Sequence, residues 1–309
     1  MCVTCIALAM LNSVEPPSGN VDSSPGPMFA TPTQLDRIGR IVAPVMINGQ
    51  GPFRMVVDTG ASRTTISPEL VKLLGLELDP QKTITLNGVT GAAEVPVVTI
   101  ERLQAGDFIV NSTDAPIVRA PIMAGADGIL GVAGFTTERI IVDFKRDRIE
   151  ISRSRPRSRS STSLTTVPAK RVTGGLLAID AQVGLVRTKV IIDTGGERTL
   201  GNLALREALL KRKRIKVFDG DVRHTAIYGA TMDMRQGEVA YAPTIKIGDV
   251  SLTDVSVVFG DFHVFKVWGL DKRPVLLLGM DVLGVMDQLI IDYARKELKI
   301  SVRSRASSF

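Results

Sequence analysis

The sequence has 309 residues, of which 44% are apolar, and this length and composition predict about two globular domains rather than a disordered chain. Its only cysteines, Cys2 and Cys5, lie at the start of the chain, so the rest of the sequence contains no disulfide framework and no thiolate metal site. The net charge of +6 comes from nine cations in two short runs, residues 153–159 and 211–216, without which the balance is negative. A continuous basic face for nucleic acid is therefore not expected.

The first 37 residues are predicted to form a leader ahead of the folded part. Residues 2–11 are an apolar run with the length of the hydrophobic part of a signal peptide, which is too short to span a bilayer. No Lys or Arg precedes this run, so two alternatives stay open: a signal peptide with export to the periplasm or exterior, or a disordered leader on a cytoplasmic protein. Residues 12–34 are rich in Pro, Ser, Gly and Thr, which is typical of a linker. No run of 18 apolar residues follows, so no transmembrane segment is expected.

The folded part contains an internal repeat. A shift of 135 residues superposes residues 55–60 on residues 190–195, and both stretches read as an apolar strand that ends in Asp-Thr-Gly. The same shift places residues 63–64, Arg-Thr, on residues 198–199, also Arg-Thr. A repeat of this kind predicts two lobes of similar structure.

One helix is predicted in each half. Ser67 and Asn202 are residue types that favour the N-cap position, and each precedes a stretch with apolar periodicity. They predict helices over residues 68–74, with Gly75 behind, and from residue 203 to about residue 213.

Both halves also close in the same way. Residues 129–131 and 277–279 each read apolar-apolar-Gly, and an alternating terminal strand follows at residues 149–152 and 298–301. Short strands and few helices predict an all-β fold of two related β-barrel-like lobes, with one short helix in each and a cleft between them. The predicted ranges are an N-terminal lobe at 38–152, a Ser/Arg-rich linker at 153–168, a C-terminal lobe at 169–302 and a tail at 303–309.

The repeated aspartates are the candidate catalytic residues. Asp58 and Asp193 each follow an apolar strand, so each carboxylate is expected at the inner edge of its lobe and partly shielded from water. Two carboxylates brought together by a pseudo-twofold axis can share one proton and hold a water between them. This chemistry needs no metal and no cofactor, and the two histidines, His224 and His263, are expected to have no catalytic role.

These motifs resemble those of retropepsin-like aspartic proteases, with two units fused in one chain as in the pepsin plan. The resemblance covers residues 38 to 302 and implies an endopeptidase in which Asp58 and Asp193 activate a water. It implies that Thr59 and Thr194 hydrogen-bond across to the other lobe. It also implies that Gly60 and Gly195 bring backbone N–H groups close to the carboxylates. The expected substrate is an extended polypeptide, and the expected assembly is a monomer whose lobes pair within one chain.

The fourth residue of each motif, Ala61 and Gly196, departs from the pepsin pattern. In pepsin-like enzymes a Ser or Thr at this position donates a hydrogen bond to the catalytic carboxylate and lowers its pKa. Neither residue here has a hydroxyl, so a mildly acidic pH optimum is expected. Gly196 also makes the second turn more flexible.

Two hairpins are candidates for the flap that covers the substrate. In the first lobe the tip is Asn87-Gly88 or Thr90-Gly91, and it has no tyrosine. The second lobe offers Tyr228-Gly229. Either hairpin could close over the cleft, both could, or both could be ordinary surface hairpins.

Two other functions stay open. The chain could be an inactive peptide-binding or scaffold protein that keeps the cleft. It could also be a basic adaptor whose Arg/Ser-rich linker contacts nucleic acid or an anionic membrane, in which case binding should fall steeply with salt. Only the protease explains two aspartates at matched positions of a repeat.

Overall fold

The computed structural model describes residues 31–32, 34–35, 39–79, 81–119, 123–156, 164–212 and 223–302. Within these ranges most residues lie in β-strands, which confirms the all-β prediction. The apolar run at residues 2–11, the centre of the linker at 157–163 and the tail at 303–309 lie outside them. The signal peptide and export therefore stay predictions.

The first half contributes eleven strands and one helix among the described residues. The strands are β1 (Thr31–Pro32), β2 (Gln34–Leu35), β3 (Ile41–Ile47), β4 (Gln50–Val57), β5 (Thr65–Ile66), β6 (Thr83–Asn87), β7 (Ala92–Ala105), β8 (Phe108–Pro116), β9 (Gly128–Leu130), β10 (Glu138–Asp143) and β11 (Arg148–Arg153). The helix is α1 (Pro68–Leu74).

The second half contributes twelve strands and three α-helices among the described residues. The strands are β12 (Thr165–Arg171), β13 (Leu177–Val183), β14 (Val186–Ile192), β15 (Leu200–Asn202), β16 (His224–Tyr228), β17 (Met234–Tyr241), β18 (Ile245–Ile247), β19 (Val250–Leu252), β20 (Ser256–Gly260), β21 (Val275–Leu278), β22 (Met286–Asp292) and β23 (Glu297–Val302). The helices are α2 (Leu203–Lys211), α3 (His263–Val267) and α4 (Met280–Leu283). No helix of the described residues is long and apolar enough to cross a bilayer.

The strands form two sheets. The sheet of the first lobe has the order β5-β9-β4-β3-β7-β6, with β2 on β3 and β8 on β7. The larger sheet has the order β1-β11-β10-β22-β23-β12-β13-β14-β21-β15-β20-β17-β16, with β18 on β13 and β19 on β18. Strands β10 and β11 therefore leave the first lobe and join the sheet of the second, and this exchange connects the two lobes.

The antiparallel pair β10·β22 is the connection between the lobes. Its register places Ile140 opposite Ile291 and Val142 opposite Leu289, and all four side chains are buried. Cross-strand pairs of this kind are the unit of sheet stabilisation. The hydrophobic core is accordingly one cluster that runs through both halves, with a smaller cluster under the first-lobe hairpin.

The two predicted helices begin at the predicted residues. In α1 the Ser67 Oγ accepts a hydrogen bond from the Leu70 N–H at 3.1 Å, and Gly75 ends the helix in the left-handed conformation with φ of 62°. In α2 the Asn202 Oδ1 accepts from the Leu205 N–H at 2.9 Å. Helix α1 ends as predicted, whereas α2 ends at Lys211, two residues before its predicted end.

Two features differ from the prediction. The predicted number of helices, one per lobe, is too low for the second lobe, which also contains α3 and α4. These helices follow Phe262 and Gly279, which make no side-chain capping bond, so the sequence contained no local signal for their start. Strands also occupy parts of the predicted leader and linker: β1 pairs with β11, β2 with β3, and residues 165–168 of β12 with β23. Backbone pairing with distant strands decides these segments, and their composition did not reveal it. The lobe boundaries otherwise stay predictions.

Candidate active site

The two aspartates lie at the ends of equivalent strands. Strand β4 pairs in parallel with β9, and β14 pairs in parallel with β21. The Asp58 N–H donates to the Leu130 carbonyl at 3.1 Å, and the Asp193 N–H donates to the Leu278 carbonyl at 2.9 Å. The apolar residues before each aspartate are buried on both faces of their strand, as predicted. Both carboxylates are thus delivered to the cleft between the lobes by the same local structure.

Each carboxylate accepts hydrogen bonds from its own turn. The Gly60 N–H donates to Asp58 Oδ1 at 2.8 Å. The Gly195 and Gly196 N–H groups both donate to Asp193 Oδ1 at 3.0 Å. These bonds fix the orientation of the carboxylates without using side-chain donors.

Glycine is required at the third position of both motifs. A Cβ on Gly60 would lie 2.7 Å from Asp193 Cγ, and a Cβ on Gly195 would lie 2.1 Å from Asp58 Cγ. Such distances are well inside van der Waals contact, so no other residue fits. The turn of each lobe therefore lies directly against the carboxylate of the other lobe.

The two threonines join the turns in a crossed arrangement. The Thr59 Oγ1 donates to the Ile192 carbonyl at 2.6 Å, and the Thr194 Oγ1 donates to the Val57 carbonyl at 2.5 Å. Each hydroxyl also accepts a backbone N–H from the other threonine at 3.2 Å. Both threonines are buried, so these bonds are shielded from water. The structure brings together the eight residues of the two predicted Asp-Thr-Gly motifs and their fourth positions.

The two carboxylates are electrostatically coupled. Burial raises the pKa of Asp58, while the hydrogen bond with Asp193, the Gly60 N–H and the positive charge of Arg40 partly lower it. Burial raises the pKa of Asp193 well above its usual range, and the charge of Asp58 raises it further. Because two adjacent carboxylates repel when both are ionised, the pair holds one proton over a range of pH in which isolated aspartates are ionised.

The closing glycines hold the loop that follows each aspartate. A Cβ on Gly131 would lie 2.4 Å from the backbone of Arg63, and a Cβ on Gly279 would lie 2.6 Å from the backbone of Arg198. The Gly131 N–H donates to the Thr64 Oγ1 at 3.2 Å, and its counterpart on Gly279 donates to the Thr199 Oγ1 at 3.1 Å. The sequence repeat thus corresponds to the same contacts between closing glycine and loop in both lobes.

Both candidate flaps are hairpins over the cleft, and their tips touch. The first is β6·β7 and the second is β16·β17. The Thr90 Oγ1 donates to the Asp233 carbonyl at 2.9 Å, and the Arg235 Nε donates to the Thr90 carbonyl at 3.0 Å. Gly88 lies against Thr231 of the opposite tip, where a Cβ would be 3.3 Å from its Oγ1. Residues of both hairpins line the cleft, and the role of either hairpin as a flap stays a prediction.

The other flap candidates also lie at the cleft. Asn87 and Gly88 line it from the first hairpin, and Tyr228 and Gly229 line it from the second. Tyr228 is largely exposed, at 70% of its surface. His263 contacts the first flap through its Nε2, 3.0 Å from the Asn87 Oδ1, a contact that the sequence did not indicate.

The cleft between the dyad and the flaps has a volume of about 1000 Å³. Its floor is formed by the two motifs and its roof by the two hairpins, and Val264, Val267 and Trp268 contribute an apolar wall. A space of this size is sufficient for several residues of an extended peptide. Within the described ranges no group of three or more His, Cys, Asp or Glu residues could hold a metal ion.

Arg40 is a cleft residue that the sequence analysis missed. It lines the cleft although it is only 2% exposed, and its charge acts on Asp58. It precedes the apolar strand β3 and has no counterpart in the repeat, so no pattern in the sequence singled it out. Asp143 and Asp292, by contrast, are strand-end residues bound to Arg146 and to Ser154, away from the dyad.

A comparison with known protein families gives a match within the first lobe. Residues 43–133 match the model of a family described as aspartyl protease. This span includes the motif at 58–61, the first candidate flap and the closing glycine at 131, so the resemblance to aspartyl proteases is confirmed for this part of the chain. No curated protein matches the chain.

Proposed function

We propose that the protein is an aspartic endopeptidase that hydrolyses peptide bonds with a water activated between Asp58 and Asp193. The observation that carries this proposal is the juxtaposition of two coupled carboxylates from two lobes, Asp193 buried and Asp58 half-buried, under two hairpins that leave a cleft of about 1000 Å³. The aspartyl protease family domain at residues 43–133 supports a peptidase at the level of the family.

The chemistry follows from the shared proton. The ionised carboxylate takes a proton from the water as its oxygen attacks the scissile carbonyl, and the protonated carboxyl donates its proton to the carbonyl oxygen. The resulting tetrahedral intermediate carries two hydroxyl groups on the former carbonyl carbon. Its collapse breaks the C–N bond as the protonated carboxyl returns its proton to the leaving nitrogen and the other carboxylate takes a proton from one of the two hydroxyls, so the dyad again holds one proton.

Backbone groups of the cleft position the substrate. An extended peptide between floor and roof exposes N–H and C=O groups on both edges, and the flap strands β6 and β16 present complementary groups at their tips. The contact between Thr90 and Asp233 closes the roof, so the hairpins must open for a polypeptide to enter. Closure then excludes bulk water from the dyad.

The test is cleavage of denatured casein by the full chain between pH 3 and pH 7, with and without pepstatin. Asp58→Asn and Asp193→Asn each remove one carboxylate of the dyad and should reduce the rate by about 1000-fold or more. Asp249→Asn is the matched control, because Asp249 is exposed in a turn outside the cleft lining. It should cleave as the unchanged chain does.

Two outcomes would contradict the proposal. If the folded chain binds pepstatin or peptides but cleaves nothing, the protein is an inactive peptide-binding or scaffold protein. If cleavage survives in both aspartate variants, the activity comes from another group or from a contaminant. Circular dichroism of each variant separates loss of the dyad from loss of the fold.

A further inference from the structure

The cleft has an excess of positive charge apart from its dyad. Among the described residues that line it, the other charged side chains are Arg40, Arg63, Arg198 and Glu197. Arg40 is buried, so the exposed charges around the dyad are the two cations Arg63 and Arg198 and the one anion Glu197. A polypeptide that enters the cleft therefore passes an exposed arginine of each lobe beside the dyad.

Arg63 and Arg198 occupy equivalent places on the two sides of the dyad. Each lies five residues after its aspartate, in the loop held by the closing glycine. The Val132 N–H donates to the Ala61 carbonyl at 2.9 Å, and the Met280 N–H donates to the Gly196 carbonyl at 2.8 Å.

The next residue of each loop is held in the same way. The Ala133 N–H donates to the Ser62 carbonyl, and the Asp281 N–H donates to the Glu197 carbonyl, both at 3.1 Å. Both arginines are therefore presented from a fixed backbone.

Both guanidinium groups are available to a ligand. Arg63 and Arg198 are exposed, and neither makes a hydrogen bond or an ion pair with any other residue in the described part of the chain. Asp114 is the acidic group that responds to the charge of Arg63. Its carboxylate is already engaged, because it accepts from Lys82 Nζ at 2.6 Å and from Thr99 Oγ1 at 2.9 Å.

We propose that the cleft selects polypeptides with acidic side chains on both sides of the scissile bond, and that Arg63 and Arg198 recognise them. The inference rests on the proposed function, since it names the substrate class of the same site. A guanidinium binds a carboxylate through two parallel N–H donors, so it discriminates Glu and Asp from their amides and from Lys. The preference is stronger on the side of Arg63, because Ser62 is its neighbour whereas Arg198 follows Glu197.

The experiment uses the full chain and a library of peptides from a digested proteome, with cleavage sites read by mass spectrometry. The unchanged chain should enrich Asp and Glu about two- to five-fold on both sides of the cut, as expected for an exposed ion pair. The double variant Arg63→Glu, Arg198→Glu should lose this enrichment and favour Lys and Arg. Single variants to Gln should lose it on one side only, and raising salt to 0.5 M should weaken it.

The matched control is Arg102→Glu, Arg187→Glu, which changes the net charge equally. Both residues are exposed and lie outside the cleft lining. This control should keep the acidic preference. Cleavage without acidic enrichment by the unchanged chain, or the same profile in the Arg63/Arg198 double variant, would overturn the inference and leave the proposed function intact.

A binding measurement separates the two proposals if no peptide is cleaved. The same library is passed over immobilised Asp58→Asn chain, and retained peptides are compared with those kept by Asp58→Asn chains that carry each double substitution. Retention of acidic peptides that is lost only with the Arg63/Arg198 pair supports the selectivity even when the protein is not a protease. Equal retention by all three chains overturns it.

Discussion

At the scale of single residues, Asp193 lowers the stability of the fold as the pH rises. Its native pKa lies above the unfolded value because of burial and the neighbouring charge of Asp58. At a pH below the unfolded pKa the Asp193 carboxyl is protonated in both states, so it does not change the free energy of unfolding. Between the two values the unfolded chain ionises while the native chain does not, so the free energy of unfolding falls as pH rises toward the native pKa.

Asp193→Asn should therefore raise the melting temperature at pH 7 by about 2–6 °C and leave it almost unchanged at pH 3. The cause is the removal of a carboxylate whose ionisation is unfavourable in the native state. Differential scanning calorimetry at both pH values measures the effect, with Asp249→Asn as the control for loss of one exposed charge. A variant less stable than the unchanged chain at pH 7 would show that the native pKa is not raised.

The fourth position of each motif should set the acidic limit of activity. Ala61 lines the cleft, and its backbone N–H already lowers the pKa of Asp58. Ala61→Ser adds a hydroxyl donor at the position where the resemblance places one, and it should move the acidic limb of the kcat/KM profile to lower pH.

Gly196→Ser is the same substitution at the fourth position of the second motif. A Cβ there would lie 2.6 Å from Asp193 Oδ2. This substitution should instead reduce kcat/KM by about 10- to 100-fold through displacement of the carboxylate. An acidic limb that stays in place in Ala61→Ser would contradict the role of the fourth position.

At the scale of elements, the two helix caps are equivalent in sequence but not in contacts. The Ser67 Oγ accepts one N–H, that of Leu70. Asn202 Oδ1 accepts from Leu205 and Val275, and its Nδ2 donates to the carbonyls of Leu270 and Arg273.

Ser67→Ala should cost about 1 kcal/mol of stability, an ordinary loss of a cap. Asn202→Ala should cost about 3 kcal/mol or more, because several buried backbone groups lose their partners at once. Urea unfolding of both variants measures the difference. Equal costs would mean that the additional bonds of Asn202 contribute nothing to the free energy of unfolding.

The sequence predicted those features whose causes are local. Ser67, Asn202 and Gly75 act within one helical turn, so the starts of both helices and the end of α1 could be predicted. The Asp-Thr-Gly turns could be predicted because a repeat marks positions under the same constraint, and the resemblance to aspartic proteases implied their crossed contacts.

The rest depends on contacts that no local pattern records. The contact between the flap tips joins Thr90 to Asp233, which are far apart in the chain and have no shared motif. The positions of Arg40 and of α3 are likewise fixed by the elements packed around them.

At the scale of the whole molecule, each half is incomplete without the other. The first half gives β10 and β11 to the sheet of the second, and each Asp-Thr-Gly turn has its hydroxyl bonded to a carbonyl of the other half. A dyad made from two lobes is therefore as stable as the pairing between them, and the covalent connection adds effective concentration to that pairing.

Cutting the linker should accordingly leave the halves together. A specific protease site inserted between residues 160 and 161 allows the purified chain to be nicked. The nicked protein should elute as one species with the mass of a monomer, because the β10·β22 pair and the crossed threonines hold the halves in contact. Its caseinolytic rate should stay within about two-fold of the intact chain. Thr194→Val removes two of the crossed bonds, the one donated to the Val57 carbonyl and the one accepted from the Thr59 N–H, so the nicked variant should separate at lower urea concentration than the nicked unchanged chain. Separation of the unchanged halves in buffer alone would contradict the prediction that these contacts hold the two lobes together. Elution of the intact chain as a dimer would contradict pairing of the lobes within one chain.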